Sequence, residues 1–471
     1  MCNQQDKHRP PIELADIFVK HADTYIEQRG VSAQQNKAIN AISRCRTSVL
    51  GGHALRCDHC GIQDISYNSC RYRHCPKCQT TKQLRWLDQR KSELLPTHYF
   101  HVVFTLPHEI NHIASYNQAV IYNLLFKAAW LTIDTFGKDE NRLAGQMGML
   151  AFLHTWGQNL SQHIHLHCMI PGGALYDDNE GRKQWRSSEK AFLFPSRAMA
   201  KYFGKTFLTL LERAHRHDEL NLKGGIAGLA DSKTFGQLMV KLRKKSWNVY
   251  AKEPFNGAEG GVTYLARYFA KTAIGNERIL SCDDDTVSFK WRDYSDDNKI
   301  KIMTLAAHEF IRRYLSHVLP DGFMRVRSFG LLANACKAKN IAIIRDLLHG
   351  SEQIKSASMV TDLTPTPALE NKTTVMQPNE KPLIQAITSG DINALQSLEN
   401  LVVNALVSSP TCVGDIDNPV VKAKAKESVA ELMKRIAGID IERCKHCKVG
   451  RLEKTPLLPG TNQTPALWDT S

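Results

Sequence analysis

The segment Gln162-His163-Ile164-His165-Leu166-His167-Cys168-Met169-Ile170 alternates imidazole rings with aliphatic and thiol side chains. A β-strand sends successive residues to opposite faces, so His163, His165 and His167 would share one face and Ile164, Leu166 and Cys168 the other. The apolar face can enter a core while the imidazole face presents ring nitrogens to an ion. One histidine in such a place would be an ordinary half-exposed residue. Three in strict alternation, stopped by Pro171-Gly172-Gly173, point to a metal site.

A second constellation is Tyr264-Leu265-Ala266-Arg267-Tyr268, which sets two phenols at i and i+4 on one helix face. Arg267 and Lys271 have the same spacing on a neighbouring face, and Gly257-Ala258-Glu259-Gly260-Gly261 leads into the helix. Tyrosines at helical spacing usually pack into a core. Beside a metal-binding strand they gain a chemistry, because a phenolate oxygen can attack a phosphodiester in line and remain attached to one DNA end. That barrier falls chiefly by positioning the phosphate and neutralising its charge. A divalent ion on two or three imidazoles does both, and Mg²⁺ or Mn²⁺ suits the task, the imidazole-rich shell taking Mn²⁺ readily. Two tyrosines allow two successive strand transfers without hydrolysis. No nucleotide cofactor is needed, and the chain has no Walker-type phosphate loop.

The cysteines carry a third signal. Cys57-Asp58-His59-Cys60-Gly61 and Cys75-Pro76-Lys77-Cys78 form a C-x2-C…C-x2-C pattern at zinc-ribbon spacing. Four thiolates from Cys57, Cys60, Cys75 and Cys78 would close a tetrahedral shell around a structural Zn²⁺, whose binding supplies much of the folding free energy of so small a module. Cys70, His74, His59 and His53 are spare candidates. Arg71, Arg73 and Lys77 crowd the block, together with Lys82, Arg85 and Arg90, which suits a DNA contact. Tyr67 and Tyr72 could stack on bases. Cys444-Lys445-His446-Cys447 is half a site in the tail.

These groups must be held by ordinary globular elements. The 471 residues leave room for two or three domains, with 42% hydrophobic and 23% charged residues. Lys and Arg outnumber Asp and Glu by 61 to 47, for a net charge of +14, which favours a polyanionic partner. The start of the chain is polar, without a signal-peptide core, and the apolar run 121–136 is interrupted by Lys127 and Asp134. Thirteen cysteines, six of them in C-x-x-C pairs, read as metal ligation in a reducing compartment, so the expected location is cytoplasmic, with no membrane partner.

Apolar periodicity predicts helices in the first fifty residues, at 82–95, 115–136, 142–156, 196–216, 232–245 and 304–318, and in the tail at 426–436. Strands are expected at 101–106 and 286–291 besides the histidine run, with a hairpin turn at 177–181. Domains are accordingly a helical region (1–50), a zinc-binding module (51–95), a catalytic domain (96–345), a Ser/Thr/Pro-rich linker or poorly ordered insertion (346–425), and a tail with its C-x-x-C pair (426–471).

Several blocks in order resemble one family. They are Asn68-Ser69-Cys70-Arg71-Tyr72-Arg73-His74-Cys75-Pro76-Lys77-Cys78-Gln79, His101-Val102-Val103-Phe104-Thr105-Leu106-Pro107, Leu153-His154-Thr155-Trp156-Gly157-Gln158, the histidine run, the tyrosine helix, and His317-Val318-Leu319-Pro320-Asp321-Gly322-Phe323. Over most of residues 50–345 the chain is similar to the rolling-circle, two-tyrosine transposases of bacterial insertion sequences, within the His-hydrophobic-His endonuclease superfamily. The resemblance implies an α+β fold with the histidines on the central strand of an antiparallel sheet flanked by helices. It implies His165 and His167 as the metal pair, with His163 or His101 as third ligand, and Tyr264 and Tyr268 as nucleophiles on single-stranded DNA at transposon ends and in the target. Arg267 and Lys271 would contact phosphate. Departures are Gln162-His163-Ile164 where the family usually has a proline, and Phe269-Ala270-Lys271 for Thr-His-Arg, which turns a bidentate contact into a point charge. Competing readings are a replication initiator or relaxase with the same chemistry, a phosphoesterase using activated water, and a non-catalytic zinc-ribbon DNA-binding protein.

Overall fold

The computed structural model describes residues 12–252, 271–358 and 427–460. The chain is mixed α+β, with antiparallel sheets flanked by helices and helices at its N-terminal end. Helix α1 (Leu14–Arg29) starts at Glu13, whose N–H bonds Asp16, and α2 (Ala33–Ser43) starts on a Ser32/Gln35 capping box. Next come the hairpin β1 (Gly52–Cys57) and β2 (Gln63–Tyr67), and the basic helix α3 (Thr80–Ser92).

The central sheet holds β3 (Tyr99–Thr105), β4 (Gly148–Trp156), β5 (Gln162–Pro171), β8 (Asn248–Lys252) and β12 (Val326–Gly330), all antiparallel, in the order β12-β4-β5-β3-β8. Helices α4 (Ile110–Tyr116) and α5 (Gln118–Gly137) follow β3, broken at Asn117. A small hairpin, β6 (Gly173–Asp177) and β7 (Lys183–Ser187), turns over Asp178–Gly181 and precedes α6 (Ser196–Arg216) and α7 (Ser232–Arg243).

Alternation along each strand decides what each face of the central sheet does. Val102 and Phe104, Ala151 and Leu153, and Ile164, Leu166, Cys168 and Ile170 join the side chains of α5 and α6 in the largest core. The opposite face is divided. Tyr99, Leu150, Phe152 and Met169 are covered by Trp86 of α3 and by Ile341 and Ile344 of helix α9 (Lys337–Ser358). His101, His154, His165 and His167 occupy the rest of that face. The turn after β5 demands glycine: a Cβ at Gly172 would lie 2.2 Å from the His98 ring, and one at Gly173 would lie 2.4 Å from Trp185.

A separate core joins the N-terminal helices to the far end of the chain. Leu14, Ile17, Phe18 and Ile42 pack with Val287 and Phe289 of the sheet β9 (Ile279–Cys282), β10 (Thr286–Asp293) and β11 (Lys299–Ala306), and with Phe310, Ile311 and Tyr314 of helix α8 (Ala307–Leu315). After residues outside the described set, a tail helix α10 (Val429–Ala437) lies on α3, and β13 (Leu452–Leu457) pairs with β1.

Three expectations change. Residues 142–156 were expected to be helical, but 148–156 form β4, whose nine residues are nearly all buried between neighbours on both edges. A continuous apolar run has no period that separates a buried strand from a buried helix. The helix expected over 304–318 begins at Ala307, because β11 occupies the first positions. The linker expected to start at 346 begins inside the helix Lys337–Ser358, and most of it falls outside the described residues. Among the described residues no helix is long and apolar enough to cross a membrane.

Candidate metal centre and cysteine sites

Because β5 lies between β4 and β3, its imidazole face has neighbours on both sides. Register sets His154 directly opposite His165, and Val103 opposite His167, with His101 two positions earlier on β3. One ring nitrogen from each of His154, His165 and His167 lies within 4.8 Å of the others, and all three residues are buried. His163, at the exposed start of the strand, has its ring centroid 4.7 Å from that of His165 but is outside the group of three. The third nitrogen therefore comes from the neighbouring strand. Reading 142–156 as a helix had hidden His154, although Leu153-His154-Thr155-Trp156 stood among the family blocks.

A carbonyl fixes one tautomer. His165 Nδ1 lies 2.8 Å from the carbonyl oxygen of His163, which can only accept, so Nδ1 carries the proton and Nε2 is bare. His167 Nδ1 lies 2.9 Å from His101 Nε2, so a proton on His167 Nδ1 has an acceptor there and would leave His167 Nε2 open to an ion. The two Nε2 atoms are 3.1 Å apart. Without an ion, His167 Nε2–H can donate to His165 Nε2 across that distance; with both nitrogens unprotonated, a cation is needed to join the two lone pairs. Nitrogens bound at about 2.1 Å are about 3.0 Å apart at right angles and about 3.4 Å apart in a tetrahedron, so this spacing fits a shared ion. His101 thus stands behind His167 as an orienting partner, a familiar support for ligating imidazoles.

Burial keeps the rings neutral. It pushes His165 down to about 3, with the His163 ring adding to the effect. Burial pushes His167 further down, with His154, His165, His101 and the Lys271 ammonium adding. Neutral imidazole is the ligating form. A cleft beside His163 is lined by Thr105, Pro107, Asn111, Gln162 and Trp247. Tyr264, Arg267 and Tyr268 lie outside the described residues. The described residues on either side border the histidines: Lys252 is the backbone register partner of His101, and the charge of Lys271 acts on His165 and His167.

Cys57, Cys60, Cys75 and Cys78 do not come together. The hairpin explains why. Cys57 and Cys60 sit at its turn, whereas the chain leaving β2 returns to the start of β1, where Asn68 N–H bonds the Gly51 carbonyl at 2.9 Å. The two cysteine pairs are thus separated by the length of β1, about 17 Å at a strand's rise per residue. At the near end Cys75 and Cys78 meet Cys70 and Cys45, their sulfurs all within 4.8 Å. Cys70 and Cys78 Sγ are 3.7 Å apart, close to the edge of about 3.8 Å expected for a tetrahedral zinc tetrathiolate. The site is anchored in the N-terminal core, since Cys45 and Cys75 are fully buried there. His74 is not a ligand; its Nε2 accepts the Leu319 N–H at 3.2 Å. Cys57 and Cys60 meet Cys444 and Cys447 instead.

Two of the basic residues expected on DNA are engaged within the fold. Lys77 pairs with Glu13 in a largely buried ion pair and donates to the Cys45 carbonyl at 3.3 Å. Arg73 donates to the Phe323 carbonyl at 2.8 Å, and burial lowers its pKa. Arg71 is exposed, with φ of 54°.

Comparison with known proteins gives the class. A family model described as "Putative transposase" matches residues 148–339, and one described as "Transposase zinc-binding domain" matches residues 17–106. The chain is 43% identical over 337 residues to putative transposase y4qJ of Sinorhizobium fredii (strain NBRC 101917 / NGR234), covering 71% of this chain and 84% of the relative. It is 24% identical over 312 residues to the transposase for insertion sequence element IS801 of Pseudomonas savastanoi pv. phaseolicola, covering 66% of this chain and 73% of the relative. No solved structure matches. The chain belongs to the IS91/IS801 family of insertion-sequence transposases. Its substrate is DNA, and its N-terminal part is a zinc-binding domain.

Proposed function

We propose that this transposase nicks and rejoins single-stranded transposon ends through covalent 5′-phosphotyrosine links formed by Tyr264 and Tyr268. The observation that carries the reading is the meeting of His154, His165 and His167 on one face of the central sheet, with the Nε2 atoms of His165 and His167 3.1 Å apart. A Mg²⁺ or Mn²⁺ ion held there would neutralise the non-bridging oxygens of the scissile phosphate and orient it. His165 and His167 supply the first two ligands and His154 the third, while His101 and the His163 carbonyl hold the rings in the ligating tautomer. His163 serves at the rim, beside the cleft.

In the strand-cleaving step the phenolate oxygen of one tyrosine bonds to phosphorus, the P–O3′ bond breaks, and the leaving 3′ oxygen takes up a proton. The released 3′-hydroxyl later reverses the exchange at a new junction, so bond energy is conserved and no nucleotide is consumed. Arg267 and Lys271 contribute positive charge toward the phosphate. The tetrathiolate of Cys45, Cys70, Cys75 and Cys78 holds a structural Zn²⁺, and Arg71 beside it meets the DNA backbone.

The test uses labelled single-stranded end oligonucleotides with Mg²⁺ or Mn²⁺, followed by boiling in SDS. The wild-type chain should carry a covalent label. Loss of label in Tyr264→Phe but not Tyr268→Phe, or the reverse, identifies the initiating phenol. Cleavage by the wild type without any adduct would replace this mechanism with hydrolysis by activated water.

A further inference from the structure

The zinc-binding family model ends at residue 106, yet two of its cysteines are completed from the other end of the chain. We infer that Cys57, Cys60, Cys444 and Cys447 form a second tetrathiolate zinc site, which fastens residues 427–460 to the N-terminal module. This inference is independent of the tyrosine chemistry.

The sulfur positions fit one ion. Cys57 and Cys447 Sγ are 3.7 Å apart, Cys60 and Cys444 Sγ are 3.8 Å apart, and all four lie within 4.8 Å. A zinc ion with Zn–S bonds of about 2.3 Å gives edges of about 3.8 Å. Both distances are far too long for disulfides, whose bond is about 2.05 Å.

The two knuckles repeat one backbone design. Gly61 N–H bonds the Cys57 carbonyl and Lys448 N–H bonds the Cys444 carbonyl, each at 3.0 Å. Gly61 and Lys448 both take left-handed backbone angles, with φ of 67° and 58°. Backbone donors approach the sulfurs as thiolate ligation requires, Cys60 N–H to Cys57 Sγ at 3.4 Å and Gly450 N–H to Cys447 Sγ at 3.3 Å. Gly450 passes so close that a Cβ there would lie 2.5 Å from Cys57 Sγ.

Other contacts also seat the tail. β13 adds to the edge of β1, and Arg435 of α10 makes two bonds of 2.9 Å to Asp88 of α3, both partners being about half exposed. Exposed ion pairs contribute little. The metal is the fastener, as in small domains whose fold depends on zinc. Closing the site joins residues 384 positions apart in sequence, and holds the tail against the basic helix α3.

The full-length chain, loaded with Co²⁺ in place of zinc, tests this directly, because sulfur-to-cobalt absorption reports thiolate ligation and the histidine group contains no sulfur. The wild type should show two thiolate-bound ions per chain, and Cys444→Ser/Cys447→Ser and Cys45→Ser one each. A protease site placed between residues 359 and 426 supplies a second readout: after cleavage the tail should stay bound until a chelator is added. Should the double variant fail to fold, alkylation of the wild type decides, because exposed Cys60 should react only after chelation. One thiolate-bound ion in the wild type, two in the double variant, a cleaved tail retained after chelation, or rapid alkylation of Cys60 in the metal-loaded chain would each overturn the inference.

Discussion

Replacing His101 by Phe removes a ring that need not touch the metal, yet the geometry predicts a measurable loss of metal affinity. With His101 present, its Nε2 at 2.9 Å can accept the His167 Nδ1 proton when an ion occupies Nε2. Without it, Nδ1–H has no acceptor from His101, and the metal-free protein holds the proton on Nε2, which donates to His165 Nε2 at 3.1 Å. Binding metal then forces the proton back to Nδ1 and leaves a buried N–H with no acceptor from His101. An unsatisfied buried donor costs about 1–3 kcal/mol, and loss of a partner orienting a ligating histidine typically lowers affinity about 10–100-fold. The two estimates agree, since about 1.4 kcal/mol is tenfold. Mn²⁺ titration by calorimetry or by the loss of free-ion EPR signal would measure it. His101→Gln, which can accept through its amide oxygen, should recover most of the affinity. Wild-type Mn²⁺ affinity in a folded His101→Phe chain would refute the assignment of tautomers and of the metal face.

Three further predictions concern neighbouring features. His154→Ala should weaken Mn²⁺ binding at least tenfold while His163→Ala leaves it nearly unchanged, because only the former belongs to the group of three nitrogens; equal losses in the same titration would return His163 to the shell. Acidification should destabilise the chain through His317, which burial holds down to about 4 and which contacts the Leu160 carbonyl and Thr155 hydroxyl at 3.0 and 3.2 Å. Its unfolded ring takes up a proton near 6.5 but the folded ring does not until about 4, so the unfolded state binds more protons in that window and stability falls as pH drops. At pH 5 the loss is about 2 kcal/mol for this ring. His317→Gln should show that much less change between pH 7 and pH 5 in urea midpoints. Glu13→Gln should cost about 3 kcal/mol, because it leaves the Lys77 ammonium buried without its partner; thermal melting should show a smaller loss for Glu13→Gln/Lys77→Met.

Much of the site was legible because short-range geometry governs it. Strict alternation over 162–170 set His165 and His167 on one face whatever the sheet around them, and C-x-x-C spacing marked each knuckle on local grounds. Helices with a clear apolar period, such as α6 and α7, began within a residue of the positions their patterns predicted. Where the period vanished, so did the reading. β4 is buried on both faces and looked helical, which concealed the one histidine that register sets opposite His165.

The partition of the cysteines shows the same limit at longer range. The sequence by itself determined a transposase-like order of blocks, a metal-binding histidine strand and thiolate knuckles, since each rests on residues a few positions apart. Only the tertiary structure decided which knuckles share an ion. The length of β1 holds Cys57 and Cys60 away from Cys75 and Cys78, and the pairing of β13 brings Cys444 and Cys447 to them across most of the chain. Strand pairing is set by which edges and faces must be buried, a property of the whole fold that no local spacing encodes.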